Sequence, residues 1–569
     1  MTFVRRIVLL IGVPIILLSN DLSWNYGITS NLGRGDQQGE TYDYSENYLS
    51  LSGQLGAWYL DLNLEYSSPP EYGYSLTGIQ NILLRYTATA WTLEAGDLNA
   101  VFGRGLALQT YEDQTIDFDN RIRGLRLRSS LLGQHEINLL AGFNENYRFY
   151  SPSSELREPD GEAEYRMVGA ETMINSSGGV WSLAPYIIAS QMRSDYSRYN
   201  IDPELGIVRL DTLLQTQNAM QLGWSQAVYG SNWDIFLEYN RTWKAFDQPL
   251  VEQNIYQTGA GVALHNGLIE YEREGQALNL QLNWFPDWAT IMFDYRRYLS
   301  GPELTSDKRN PLLLSQKALP WQLGPTGIRQ HDISLLGNVT HPVDYGDELG
   351  WTLELTKYFG YSWSMVLNAS QISRSRDSRD MSLEAGILPT NDIRQHPWSE
   401  YFAEFEYTGE RLSQRMLVAF TQSVLSGMNS AEISDHITVV PAYFSWVINP
   451  NLVANGLIEL QHSTVSGVSY DDEEQDGHEY GSYHLVGSID YKSDYSFSVI
   501  WDASDDPLLN TGVEQMQHWV SGEVSAKPLD GLWIRASYGK EKGGVRCTGG
   551  VCRILNPFEG FRLTLEWRR

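Results

Sequence analysis

At 569 residues the chain would ordinarily divide into several soluble domains, yet no Pro-, Ser- or Lys-rich linker and no fixed-period repeat divides it. The 70 acidic residues against 41 basic ones, a net charge of −29, argue against a nucleic-acid backbone as partner. With 34 Tyr and 18 Trp and no uninterrupted apolar run of spanning length, the composition excludes a helical membrane protein and fits a transmembrane β-barrel.

Arg5 and Arg6 precede an apolar run from Ile7 to Leu18, too short to span a bilayer and placed as a secretory signal. Residues 1–20 are therefore expected to be a cleaved signal peptide and 21–569 the barrel. The first strand is expected by about Trp24, which leaves no room for an N-terminal plug of the kind gated transporters carry.

Period-two alternation dominates the remainder of the chain. "AWYLDLNLEY" puts Trp58, Leu60, Leu62, Leu64 and Tyr66 on one face and Tyr59, Asp61, Asn63 and Glu65 on the other. "NWDIFLEYNRTW" (Trp233 to Trp243), "GWTLELTKY" (from Trp351), "YSWSMVLNAS" (from Trp363), "LWIRASY" (from Leu532) and "GFRLTLEW" (to Trp567) repeat the pattern. One face of each run then lies in an apolar medium and the other in water. Most runs have the ~9–11 residues that a tilted strand needs to cross hydrocarbon. Short links are expected at Gly230, at His265-Asn266-Gly267 and at Pro450, and long polar links at 151–164, 301–329 and 466–479. The expected fold is all-β: a single transmembrane antiparallel barrel of about 26 strands (roughly 22–28, an even number) without an N-terminal plug. Propellers and sandwiches fit less well, because the apolar faces end repeatedly in Tyr or Trp, as interfacial aromatic girdles do.

"GDLNAVFGRGLALQTYEDQTIDFDNRIRGLRLR" (96–128) departs from the alternation. Gly103 and Gly105 bracket Arg104, which permits a bulge or a close backbone approach. Arg121 and Arg123 share a phase; Arg126 and Arg128 are one step out, so a slip near Gly124 would place all four on one side. An Arg on the lipid face at mid-membrane costs about 2–4 kcal/mol, so the lumen is the expected location. There Glu94, Asp97, Arg104, Glu112, Asp113, Asp119, Arg121, Arg123, Arg126 and Arg128 would form a charge network. It would either stitch the wall or act as a selectivity or docking site.

The remaining signals are weaker. "DDEEQDG" (Asp471–Gly477) reads as a solvated acidic loop, with calcium the alternative. "GAGVA" lacks the βαβ setting of a dinucleotide site, the histidines show no metal spacing, and no G-x-S-x-G occurs. No metal site, cofactor or catalytic residue is expected. Cys547 and Cys552 in "GGVRCTGGVCR" are expected to form a disulfide in an oxidising compartment. The chain ends Trp567-Arg568-Arg569, with its terminal aromatic displaced inward.

The 96–124 block also resembles a signature of an uncharacterised family of bacterial outer-membrane barrels, domain of unknown function six-zero-two-nine. Gly96-Asp97, Phe102-Gly103, Gly105-Leu106, Tyr111-Glu112-Asp113, Asp119-Asn120 and Ile122-Arg123-Gly124 match its pattern, and "GGVCR" with "FEGFRLTLEW" is similar to its closing segment. The resemblance implies an exported outer-membrane barrel and implies no activity. The expected function is a channel or transport scaffold for a polar or macromolecular cargo, its lumen restricted by charge and loops. It is not expected to be an enzyme. The partners are outer-membrane lipid and, as an open alternative, a periplasmic or lumen-plugging protein. A platform for an envelope complex and a surface enzyme are the rival readings.

Overall fold

The structure, a computed structural model, describes residues 22–569 except 38–39, 72–74, 133–134, 150–160, 202–207, 259–260, 300–317, 330, 332–333, 340, 342, 376–385, 427–431, 469–473, 507–515, 549–550 and 556. The expected signal segment, 1–20, lies outside the described residues, as does the start of the acidic loop at Asp471. Twenty-four antiparallel strands form one sheet that closes on itself. The first strand, Leu22–Gln37, pairs with the last, Phe558–Arg568, in register from Gly27 opposite Arg568 to Asp36 opposite Glu559. Among the described residues, closure leaves this sheet without an unpaired edge strand, as a backbone immersed in lipid requires.

Outward-facing residues are apolar and exposed: Leu125, Val168, Met416, Phe420, Phe497 and Val524 are each at least half exposed. Such side chains in water would forfeit the burial that folds a soluble protein, so this face meets lipid. The strands are joined by tight turns at one end, for example Tyr229 to Trp233 and Asn449 to Leu452, where the first strand begins and the last one ends. Around these turns runs a belt of exposed aromatics: Trp58, Trp91, Trp181, Trp284, Trp288, Trp363, Trp446, Tyr491 and Tyr495. Several pack against one another, Trp58 on Tyr86 at 4.7 Å and Trp363 on Tyr407 at 4.8 Å. Amphipathic rings concentrated at one level of a cylinder mark a membrane interface.

The other end carries the long connections. Several strands also run past it: Val208–Tyr229, Trp233–Thr258 and Gly261–Trp284 have 22, 26 and 24 residues. Asn266 sits opposite Gln253 inside one such hairpin, so the turn expected at His265–Gly267 is strand instead.

The strand number of about 26 is corrected to 24. Short alternating pieces pair with one another away from the wall: Ala100–Phe102 with Leu108–Thr110, Glu112–Asp113 with Phe118–Asp119, and Gly544–Thr548 with Val551–Leu555. These read as strands locally but add nothing to the cylinder. The last hairpin sets Cys547 opposite Cys552 in register, and their side chains lie outside those described. The lumen, expected to be restricted by charge and loops without an N-terminal plug, is entered by two mid-chain connections. The first insert, residues 99–121, links strands Trp91–Leu98 and Ile122–Leu132; the second, whose described part begins at residue 318 and runs to 347, lies between Thr290–Leu299 and Glu348–Phe359 and includes a short helix, Ser334–Gly337.

Between the inserts and the wall lies a packed apolar seam. Phe102, Leu108 and Trp321 from the inserts meet Tyr165, Met167, Tyr186, Ile188 and Met192 from the wall, all at 3% exposure or less. The helix residues Leu335 and Leu336 pack on Phe402, Leu417, Ile437 and Val439. Truncating fully buried Trp321 to Ala should cost about 3–5 kcal/mol of insert docking. In detergent, Trp321→Ala should become protease-sensitive within 99–121 and 318–347 while the barrel keeps its heat-modifiable mobility on SDS gels; unchanged resistance would refute this packing.

Candidate functional site

The first insert can descend into the lumen because its tip is built on backbone that only glycine adopts easily. Gly103 has φ 57° and Gly105 φ 104°. A Cβ at Gly103 would collide with Glu238 Oε1, and one at Gly105 would lie 2.5 Å from the Leu323 carbonyl. The bare backbone at Gly103 lets two wall carboxylates reach the tip. The Gly103 amide donates to Glu171 Oε1 at 2.9 Å, and the Arg104 amide donates to Glu238 Oε2 at 2.6 Å. Glu238 is fully buried and also accepts from the Tyr186 hydroxyl at 3.0 Å. The Arg104 guanidinium lies over the Phe236 ring, 3.8 Å from its centre.

The carbonyls past the tip are met by wall amides. Asn240 donates to Leu106 O at 3.3 Å and Gln221 to Ala107 O at 3.1 Å. Gln221 in turn accepts from the Trp321 indole at 3.0 Å, which ties the second insert to the first through the wall. The inserts also bond directly: Gln109 N donates to Trp321 O at 2.7 Å, and the Asn120 amide donates to Gln109 O and Pro320 O, both at 2.9 Å. Asn120 Oδ1 accepts from the Tyr111 amide at 2.7 Å, and its carbonyl accepts from the Tyr165 hydroxyl at 2.5 Å.

The second insert is held in the same way. Buried Glu459 accepts the amides of Ser334 at 3.0 Å and Leu335 at 2.6 Å. Arg296 and Glu348, almost fully buried, pair at 2.6 Å, and Glu348 also binds His341 at 3.0 Å and the Asp344 amide at 2.9 Å. His331 meets Glu400 at 3.1 Å, and Arg329 stands between Glu354 and Glu404.

The charged residues expected to form one network fall into separate groups. Glu94 is lumenal and gathers Arg85 at 2.7 Å, Arg128 at 3.3 Å and Arg126 at 3.9 Å. Arg121 is clamped by Asp119 at 2.7 Å and donates to Asn81 at 3.0 Å. Glu112 accepts from Gln80 at 3.2 Å, and Asp113 accepts the Thr115 amide in a local turn. Arg104 stands apart at the insert tip. Arg123 and Asp97 pair with two hydrogen bonds, at 2.9 and 3.1 Å, but on the outward face in phase with Leu125. The register from Ile122 to Ser129 against Trp91–Leu98 is unbroken, so the slip expected near Gly124 is absent. Arg123 lies at the strand's end beside the insert, where an Arg costs little and Asp97 neutralises it.

Glu171, Glu238, Gln221, Asn240 and Trp321 were not singled out from sequence. For the wall residues the signal was phase alone: Glu238 and Asn240 alternate with the apolar face of "NWDIFLEYNRTW". Among the described residues, no group of three metal-ligating side chains could hold an ion, and no helix is long and apolar enough to cross a membrane.

A closed cylinder with a lipid-facing apolar surface, an aromatic belt and lumenal inserts defines a transmembrane β-barrel. The chain belongs to the family of unknown function DUF6029, which matches residues 21–568. Of the residues that carried that resemblance, Phe102-Gly103, Gly105-Leu106, Tyr111 to Asp113 and Asp119-Asn120 lie in the first insert. No curated protein matches by sequence. Among solved structures, the chain is similar to the copper transporter OprC (9% identity, TM-score 0.44, 96% of this chain and 81% of that one). It is also similar to the siderophore receptor PirA from Pseudomonas aeruginosa (6%, 0.43, 96% and 80%). A third similar structure is a ferric enterobactin receptor mutant from the same organism (8%, 0.46, 96% and 81%).

Burial pushes the Glu112 carboxyl up to about 7, with Arg121 partly opposing the shift. A carboxyl raised on docking favours the docked insert below its unfolded pKa, and that contribution fades as pH rises through about 7. Hydrogen exchange at Asp113–Thr115 should therefore be slower at pH 5 than at pH 8 after correction for intrinsic rates. Glu112→Gln should flatten the difference; a profile unchanged by the substitution would assign the effect elsewhere.

Proposed function

We propose that the protein is a bacterial outer-membrane transport barrel, exported by residues 1–20, whose conduit is narrowed from within by two segments of its own chain. The observation that carries this reading is the seam of Phe102, Leu108, Trp321 and Tyr165. All four are essentially excluded from solvent inside a cylinder whose lumen is ordinarily polar and wet. A lumen packed in this way restricts passage without a partner, which favours transport over a platform sealed by a second protein. Both inserts enter from the end with long connections, the external side in bacterial barrels. The cargo is polar or macromolecular, reaching the inserts first from outside.

Removing Glu171 and Glu238 leaves the Gly103 and Arg104 amides without acceptors, at about 1–3 kcal/mol each. Glu171→Ala/Glu238→Ala protein in planar bilayers should conduct severalfold more than wild type, and restoring Glu238 should return part of the restriction. Equal conductance in folded wild-type and double-variant barrels would overturn the assignment of the inserts as the restriction.

A further inference from the structure

On the outside of the cylinder, four neighbouring strands form an open groove of about 810 Å³. The strands are Ile122–Leu132, His135–Phe149, Gly161–Asn175 and Trp181–Ile201, and among the described residues neither insert contributes to its lining. Its floor is apolar. Leu125, Ala141, Phe143, Val168 and Ala189 point outward and are exposed, in alternation with the buried inward residues Tyr165, Met167 and Ile188. Toward the end with the long connections the same outward phase becomes basic. Arg123 and Arg166 each stand 9 positions from the tight-turn ends of their strands, Leu132 and Asn175, and Arg193 stands 12 from Trp181. A tilted strand crosses hydrocarbon in about 9–11 residues, so these guanidiniums lie at the level where lipid headgroups begin.

We infer that this groove binds a phosphorylated, multiply acylated glycolipid of the outer leaflet, its chains on the apolar floor and its phosphate on the arginines. The cations have donors to spare. Arg123 gives Nε and Nη2 to Asp97, and its Nη1 meets no partner among the described residues. Arg166 donates to the neutral Gln191 side chain, and no carboxylate pairs with it among the described residues. Arg193 meets Glu164 at 3.7 Å with both side chains at least half exposed, a pair loose enough for phosphate to displace. Arg166 is paired in register with Gln191, two positions before Arg193. Diagonal neighbours of this kind lie about 7–8 Å apart, so one phosphate can take hydrogen bonds from both guanidiniums. The carboxylates of the groove, Glu145 and Glu164, disfavour a free anion; a lipid is retained because its chains add apolar burial. Four strands about 4.8 Å apart make the floor roughly 14 Å wide, broader than the paired chains of a phospholipid need. The groove also continues the lipid-facing surface of the barrel, so its occupant arrives within the membrane. The inference rests on the outer-membrane orientation, with the long connections outside, and not on what passes through the lumen.

The test uses full-length folded protein in detergent and purified bisphosphorylated lipid A, with bound lipid read as mass increments by native mass spectrometry. Wild type should retain lipid A, and Arg166→Gln/Arg193→Gln should lower its occupancy about tenfold. Val168→Trp, which fills the floor and leaves the arginines in place, should also lower it, and millimolar inorganic phosphate should not displace the lipid. Arg241→Gln, exposed on Trp233–Thr258 outside the groove, should bind as wild type does. All variants should keep heat-modifiable mobility on SDS gels, because the packed inward faces of these strands are unchanged. Equal occupancy in wild type and Arg166→Gln/Arg193→Gln overturns the inference. Displacement by phosphate alone, or retention of phosphatidylglycerol equal to that of lipid A, overturns it too. Conductance in planar bilayers should be the same for wild type and the arginine variant. Loss of the lipid site therefore leaves the transport reading standing, and failure of the transport reading leaves the lipid site standing.

Discussion

Irregular backbone inside a membrane-spanning cylinder must find a hydrogen-bond partner for every amide and carbonyl that it brings away from water, and the rest of this lumen is arranged around that requirement. The partners follow donor chemistry. Wall carboxylates take N–H groups: Glu171 and Glu238 take Gly103 and Arg104, Glu459 takes Ser334 and Leu335, and Glu348 takes Asp344. Side-chain amides serve the carbonyls: Asn240 and Gln221 reach Leu106 and Ala107, and Asn120 reaches Gln109 and Pro320. A carboxylate has no proton to give a carbonyl, and an amide's NH2 cannot accept from a backbone N–H. A carboxylate therefore suits a passing N–H, whereas an amide, with both a donor and an acceptor, can serve a carbonyl and still accept, as Asn120 does from Tyr111.

The same logic explains what the sequence revealed and what it concealed. Alternation identified the lipid face of Trp58–Tyr66 or Trp233–Trp243 because hydrocarbon rejects polar side chains wherever a strand crosses it. The inward face of those strands obeys no comparable local rule. Glu238 was legible as lumenal by phase, but its partner, the Arg104 amide, lies 134 positions away, and nothing near either residue announces the other. The glycines of the 96–124 block announced a close approach without saying to what. Counting failed where local pairing mimicked wall strand, as at Ala100–Phe102 and Leu108–Thr110. The arginine phase failed because Arg123 was assumed to lie at mid-membrane, whereas it sits at a strand end beside its own counter-charge, Asp97.

The excess of acidic residues acquires a division of labour in the fold. On the packed side, carboxylates are consumed as acceptors or ion-paired: Glu94 gathers three arginines, and Glu348 meets Arg296 and His341. Desolvating them is tolerable because each meets donors that hold its charge in place. On the strands Glu474–Tyr491, Tyr495–Ser504 and Gln517–Leu529 the buried inward positions Ser482, Ser504 and Ser521 are small and hydroxylated, and the carboxylates Asp490 and Glu523 lie toward the tight turns.

The way the inserts are anchored also constrains how the molecule can assemble. Asn120 bonds Pro320 across 200 positions of chain, Gln322 reaches Thr242 across 80, and Ser334 reaches Glu459 across 125. Contacts that distant in sequence give nothing back until the intervening loops have closed, and here closing them means pairing most of the wall. Neither insert can hold its lumenal conformation against an unformed cylinder, because the carboxylates and amides that satisfy it come from strands on several sides at once. Docking of the inserts is therefore coupled to closure of the wall. The lumenal closure is still a separately reversible layer: its hydrogen bonds and apolar seam can be given up locally while the ladder that closes the barrel, from Gly27–Arg568 to Asp36–Glu559, stays intact.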